Sequence, residues 1–137
     1  MAALVITTSQ VKADPDATVI NGRVGVAVTP GQSVFYEEES RTWKLASSTG
    51  SLAQARTGGV ALATSAINGS IGICTDGLLI VGAGAAPAKG TIYVQGIAGA
   101  INPSADVATT WNVTVLGVGD GNGGIVLGIN PSDQTVP

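Results

Sequence analysis

Histidine is absent from this sequence, cysteine occurs once, and aromatic residues make up only 4% of it. Without histidine, the commonest general base and the commonest metal ligand are both missing. A single cysteine, Cys74, excludes an intrachain disulfide. It follows Ile71 and Ile73 on an apolar run with no basic neighbour to stabilise a thiolate, so it reads as an inert core residue. Charge is scarce too, at 11% of residues against about 25% in an average protein. The six basic residues (Lys12, Arg23, Arg41, Lys44, Arg56, Lys89) are scattered singly and the net charge is −3. No basic stripe can neutralise phosphates, so nucleic acid and anionic membrane surfaces are not expected partners. The N-terminus lacks the basic and long apolar regions of a signal peptide, and the longest uncharged run, 57–75, is broken throughout by Thr, Ser, Asn and Gly. The expectation is a soluble protein made in a reducing cytoplasm.

What is present is apolar and β-prone. Hydrophobic residues make up 45% of the chain and mean hydropathy is +0.39, unlike a disordered segment. A length of 137 residues suits one compact domain. An apolar chain so poor in charge is expected to hide surface against copies of itself or a partner. No long stretch keeps helical spacing without an interrupting Gly or Pro, so at most one helical turn is expected, at 51–56. Short β-type runs between turn residues predict strands near 3–8, 24–29, 33–37, 42–46, 58–63, 70–75, 78–82, 91–95, 98–101, 111–118 and 124–129. Val113 and Val115 alternate with Asn112 and Thr114, as on a half-solvated strand, and Trp43 between Thr42 and Lys44 is expected to face inward. The run Leu78-Leu79-Ile80-Val81 is apolar on both faces, which fits a strand with its own core on one side and another subunit on the other. Turns are predicted at Asn21-Gly22, Pro30-Gly31, Asn68-Gly69, Asp76-Gly77 and Asp120-Gly121.

A spacing of 58 aligns Val34-Phe35-Tyr36 with Ile92-Tyr93-Val94, Trp43 with Ile101, and Gly59-Val60 with Gly117-Val118. Either a strand–hairpin–strand unit is duplicated, closing into a small barrel or sandwich, or two β-rich segments coincide by chance. Residues 1–18 read as an extended N-terminal arm, because a polar stretch with Pro15 separates Leu4-Val5-Ile6-Thr7-Thr8 from the rest. Residues 19–129 read as the β-barrel or sandwich domain and 130–137 as an exposed C-terminal tail.

The apparent motifs do not carry chemistry. Gly82-Ala83-Gly84-Ala85-Ala86-Pro87 follows a strand as a dinucleotide fingerprint would. Pro87 takes the place of the third glycine, and the residues beyond lead into another strand, not a helix. Asp120-Gly121-Asn122-Gly123-Gly124 resembles a calcium loop, but Gly124 and Pro131 stand where ligands are required. Glu37-Glu38-Glu39 reads as a solvated hairpin tip. Asp14 and Asp16 flank Pro15 with no framework to fix a glycosidase spacing. No catalytic residue, cofactor, metal or small-molecule substrate is expected, and the protein is not read as an enzyme.

The chain resembles the small all-β head decoration (cement) proteins of tailed bacteriophages. The resemblance rests on Pro30-Gly31-Gln32-Ser33-Val34-Phe35-Tyr36, Trp43-Lys44-Leu45-Ala46, and Ala55-Arg56-Thr57-Gly58-Gly59-Val60-Ala61-Leu62. It resumes at Lys89-Gly90-Thr91-Ile92-Tyr93-Val94, Ile101-Asn102-Pro103 and Val113-Thr114-Val115-Leu116-Gly117-Val118, and so spans roughly 24–129. It implies a homotrimer seated on the outer capsid surface at three-fold or quasi-three-fold positions, bound to the major capsid protein. Such a protein would be made in the host bacterial cytoplasm and end in the virion. The resemblance fixes no capsid-contacting residue; by β propensity and their separation from the domain, Leu4, Val5, Ile6, Thr7 and Thr8 of the arm are expected to engage the capsid. Trp43, Leu79, Val81, Val113 and Val115 would provide core and trimer packing. A carbohydrate- or surface-binding β module of a phage fibre or tail is the alternative.

Overall fold

The computed structural model describes residues 3–82, 85 and 87–135. Strands take up 46% of the described residues and helices 8%, far below the ordinary helical share, and the strands form one curled antiparallel sheet, a half-barrel. The strands are β1 (Lys12–Ala13), β2 (Thr18–Arg23), β3 (Ser33–Glu37), β4 (Thr42–Leu45), β5 (Gly59–Ala61), β6 (Ser70–Ile80), β7 (Ile92–Gln95), β8 (Ile101–Pro103), β9 (Asn112–Gly119) and β10 (Gly124–Thr135). One helical turn, α1 (Leu52–Ala55), stands between β4 and β5. It is closed by a capping box: the Ser51 hydroxyl accepts from the Gln54 N–H, and the Gln54 side chain accepts from the Ser51 N–H.

Strand order is β4-β3-β5-β6-β10-β9-β7-β8, with β1 and β2 on the other edge of β6. Read outward from the centre, the two halves are the same: β6-β5-β3-β4 on one side, β10-β9-β7-β8 on the other. The 58-residue spacing aligns residues on equivalent strands, since Val34 and Ile92 lie on β3 and β7, Trp43 and Ile101 on β4 and β8, and Val60 and Val118 on β5 and β9. Topology thus favours duplication over coincidence. The sheet ends curl back toward the middle. Val24 bridges Trp43, and the Gly25 N–H reaches the Trp43 carbonyl at 2.8 Å. At the other end, the Leu4 N–H reaches the Ile101 carbonyl at 2.8 Å, and the same segment then returns to β6 as β1.

Burial follows this curl. Val24, Val28, Val34, Ala61, Ile71 and Ile73 form a core within the first half. A larger core gathers Val60, Cys74, Leu79, Tyr93, Leu116 and Ile125 from both halves. Fully burying each such aliphatic side chain stabilises the fold by about 1.5–3 kcal/mol. A register shift between Tyr93 and Val94, where β7 pairs with β9, skips Leu116 and turns it into this core.

Several sequence expectations require correction. Asp76-Gly77 is no turn: β6 runs unbroken from Ser70 to Ile80, with Asp76 paired to Thr18 and Gly128. Gly77 adopts φ +88, and a Cβ there would stand 2.8 Å from the Ala17 backbone, so the glycine bends the strand and does not reverse it. Asn21-Gly22 lies inside β2, opposite Gly72 and Ile71. Gly22 is small because a Cβ there would stand 2.5 Å from the Trp43 ring. The run 24–29 makes only two isolated bridges, at Val24 and Val28, and residues 3–7 form no strand. By contrast, Asn68 (φ 71), Gly31 (φ 91) and Gly121 (φ 81) take the backbone form predicted for their turns.

Candidate functional site

The N-terminal segment lies along a groove of about 250 Å³ bordered by Pro30, Gly31, Gly99 and Ile101. Leu4 and Ile6 are half-buried against the larger core, and Ile6 sits so close to Gly31 that a Cβ there would be 2.8 Å from it. Val5 points away and is 81% exposed, and Thr7 and Thr8 are exposed. A 3₁₀ turn at Thr8–Gln10 leads to buried Val11 and then β1. Up to Thr7, the Leu4–Ile101 bond is the main-chain tie to the sheet among the described residues. Among the described residues up to Thr7, the segment rests on its own domain through the Leu4 and Ile6 side chains and the Leu4–Ile101 backbone bond.

The residues expected to pack are divided by the structure. Leu79 and Val81 are fully buried within the chain, whereas Leu78 and Ile80 on the opposite face are half-buried. Trp43 is half-buried, its ring edge-on to Tyr36 with centroids 5.5 Å apart, and it closes over Gly22 and Gly58. Val113 and Val115 are half-buried on β9. Thr135, Pro131 and Asn130 pair with Asn112, Thr114 and Val115 of that strand, so the stretch read as a tail continues β10 while Asn130, Pro131 and Ser132 stay exposed. Residues 136–137 lie outside the described residues.

Glu37 pairs with Lys44 at 2.9 Å, and the Lys44 ammonium, then the Ser40 hydroxyl, hold its carboxyl below the usual carboxylate range. Glu37, Glu38 and Glu39 border a groove of about 470 Å³ together with Tyr36, Gln54 and Arg56. Asn102 likewise lowers the Asp106 carboxyl through a 2.9 Å hydrogen bond. Burial pushes the Cys74 thiol up, although the thiol donates to the Asp76 carbonyl. Asp120 accepts from the Asn122 and Gly124 N–H groups, so its carboxylate folds its own hairpin. The glycine loop after β6 leads into β7; its residues 83, 84 and 86 lie outside the described residues. No group of three or more ligating side chains is gathered among the described residues.

Sequence reasoning missed a buried polar key between the halves. The Gln95 side chain is 1% exposed; its amide donates to the carbonyls of Ala46, Gly96 and Ala100, and its oxygen accepts from Thr57 at 2.6 Å. Thr114 donates to the Ala55 carbonyl, and Asn112 donates to that of Gly50 at 2.9 Å. These bonds fasten the segment 46–57 of the first half to β7 and β9 of the second. A glutamine between Val94 and Gly96 at the end of a short strand gave no signal of burial.

Comparison with protein-family models gives no match, and comparison with curated proteins gives none either.

Proposed function

We propose that the protein is a non-catalytic structural component of a bacteriophage virion, a decoration protein that binds the outside of the assembled capsid as a homotrimer at three-fold or quasi-three-fold positions. The observation that carries the reading is the N-terminal segment: β-prone, apolar, tied to its own sheet among the described residues up to Thr7 by the Leu4–Ile101 backbone bond, with Val5 81% exposed. Such a segment can leave its groove and add a strand to an exposed edge of the capsid protein. A ligand that binds only the assembled shell stabilises it by mass action, and three linked contacts raise avidity by roughly 10²–10⁴ over one. The test is cosedimentation with purified shells that lack the protein, followed by heat challenge. Saturable binding with a raised shell disruption temperature is expected; no binding to any maturation state of the shell refutes it.

A second reading is favoured by the Tyr36–Trp43 pair beside the acid-rich groove. An exposed ring next to carboxylates and Arg56 suits the apolar face and hydroxyls of a sugar, as in a carbohydrate-binding module of a fibre or tail. A glycan array separates the two, since a decoration protein gives no saturable glycan signal.

A further inference from the structure

Three asparagines in the sequence, Asn21, Asn68 and Asn122, precede a glycine. An asparagine so placed can modify itself. The main-chain nitrogen of the next residue loses its proton to base and attacks the side-chain amide carbon. The new C–N bond closes a succinimide, and the side-chain nitrogen leaves as ammonia. Water then opens the ring at either carbonyl, giving aspartate or isoaspartate. Glycine favours the closure because it has no side chain to hinder it and its backbone turns freely. Asn102 and Asn130 precede proline, which has no N–H to lose. Asn112 precedes β-branched Val113, and its amide is bonded to the Gly50 carbonyl.

The fold treats the three Asn-Gly pairs differently. Asn21 and Gly22 are held in the β2–β6 ladder opposite Gly72 and Ile71, with Gly22 against the Trp43 ring. Asn68 is exposed, but the nitrogen that would attack it is committed: the Gly69 N–H donates to the Ala66 carbonyl at 3.1 Å. The Asn68 N–H donates to the Val24 carbonyl at 2.7 Å, and the Gly69 carbonyl accepts from the Val24 N–H at 2.9 Å. Ring closure at either pair needs such bonds to open first. Asn122 is exposed on the hairpin between β9 and β10, among Gly121, Gly123 and Gly124. Its N–H donates to the Asp120 carboxylate, whereas its side-chain amide and the Gly123 N–H make no hydrogen bond among the described residues. Gly123 is buried, and a buried N–H without a partner has no bond to give up.

We propose that Asn122 is a site of spontaneous deamidation, and that the folded chain modifies itself there in preference to Asn21 and Asn68. The inference goes beyond capsid binding and does not depend on it. The product sets a second carboxylate two residues from Asp120, whose own carboxylate holds the Asn122 and Gly124 N–H groups, so like charges meet within one turn. Isoaspartate also lengthens the main chain by a methylene immediately before Gly123. The Gly123 carbonyl accepts from the Val81 and Gly82 N–H groups at 2.9 and 3.0 Å, so the change is passed to the end of β6.

The test is peptide mapping by mass spectrometry on the full chain held folded in mildly alkaline buffer, beside a sample held unfolded in urea. In the folded sample, conversion to aspartate and isoaspartate should run at least about tenfold faster at Asn122 than at Asn21 or Asn68. In urea the three should convert at similar rates, which shows that the fold makes the choice. Asn122→Ser should abolish the main acidic species that ion exchange resolves from the folded sample. The purified isoaspartate form should exchange the Val81 and Gly82 amide hydrogens faster than the unmodified chain, and unchanged exchange overturns the coupling to β6. Equal rates at the three sites in the folded chain overturn the proposal. So does conversion led by Asn68 or Asn21, or an Asn122 that stays intact in the folded chain while the urea sample converts.

Discussion

Replacing Gln95 with methionine keeps the volume of the side chain while deleting its amide. The side chain is 1% exposed and makes hydrogen bonds with Ala46, Gly96, Ala100 and Thr57. A net bond contributes about 0.5–1.5 kcal/mol, and a buried partner left unsatisfied costs about 1–3 kcal/mol. The Thr57 hydroxyl is itself buried and would lose its 2.6 Å partner. Against these losses stands the easier burial of a thioether, so Gln95→Met should cost about 3–5 kcal/mol, a large share of the roughly 5–15 kcal/mol that holds a domain together. Urea unfolding followed by tryptophan fluorescence measures it, with an unchanged m confirming that stability alone has moved. Thr57→Val in the same chain removes the orphaned hydroxyl and should recover about 1–2 kcal/mol, so the double variant is less than additive. A loss below about 1 kcal/mol for Gln95→Met, or full additivity with Thr57→Val, would show that the amide does not fasten the halves.

Gly77→Ala should destabilise by about 1–3 kcal/mol in urea, since Gly77 holds φ +88 against the Ala17 backbone; a neutral result would mean that β6 is not bent there. Trp43→Ala should cost about 3–5 kcal/mol if its half-buried ring serves the first core as Gly22 and Gly58 imply, and less than half a kcal/mol if the ring is a ligand platform. Deleting residues 1–7 should leave the β spectrum intact, because β1 is retained, while shell binding measured by cosedimentation falls; unchanged binding would move the contact to the loops. Glu37 is held below the usual carboxylate range, so its pairing contributes stability that is present above the ordinary carboxylate pKa and lost as pH falls through the lowered value. Glu37→Gln should therefore flatten the acid limb of a stability–pH curve, and an unaltered limb refutes this. Cys74, buried and with a raised pKa, should resist iodoacetamide at neutral pH until the chain is unfolded.

Local chemistry settled the backbone of several stretches. The apolar runs at 33–37, 70–75 and 124–129 became strands, Ser51 and Gln54 capped the helical turn at Leu52–Ala55, and the glycines of Pro30-Gly31 and Asp120-Gly121 took left-handed angles. The 58-residue spacing was legible as well, because duplicated strands keep similar apolar patterns even where register has drifted. Tertiary structure decided the rest. A glycine at positive φ serves a reversal or a bend equally, and Gly77 bends because β2 and β10 hold β6 on both edges across that point. Asn21-Gly22 lies in a strand because the exposed residues of β2 found a free edge on β6 and the Trp43 ring required a residue without a side chain. Gln95 is buried because the Ala46 carbonyl and the Thr57 hydroxyl, distant in sequence, converge on it beside the nearby carbonyls of Gly96 and Ala100. Backbone preference is a property of neighbours in the chain; hydrogen-bond partners and burial belong to neighbours in space, and those exist only once the sheet has curled.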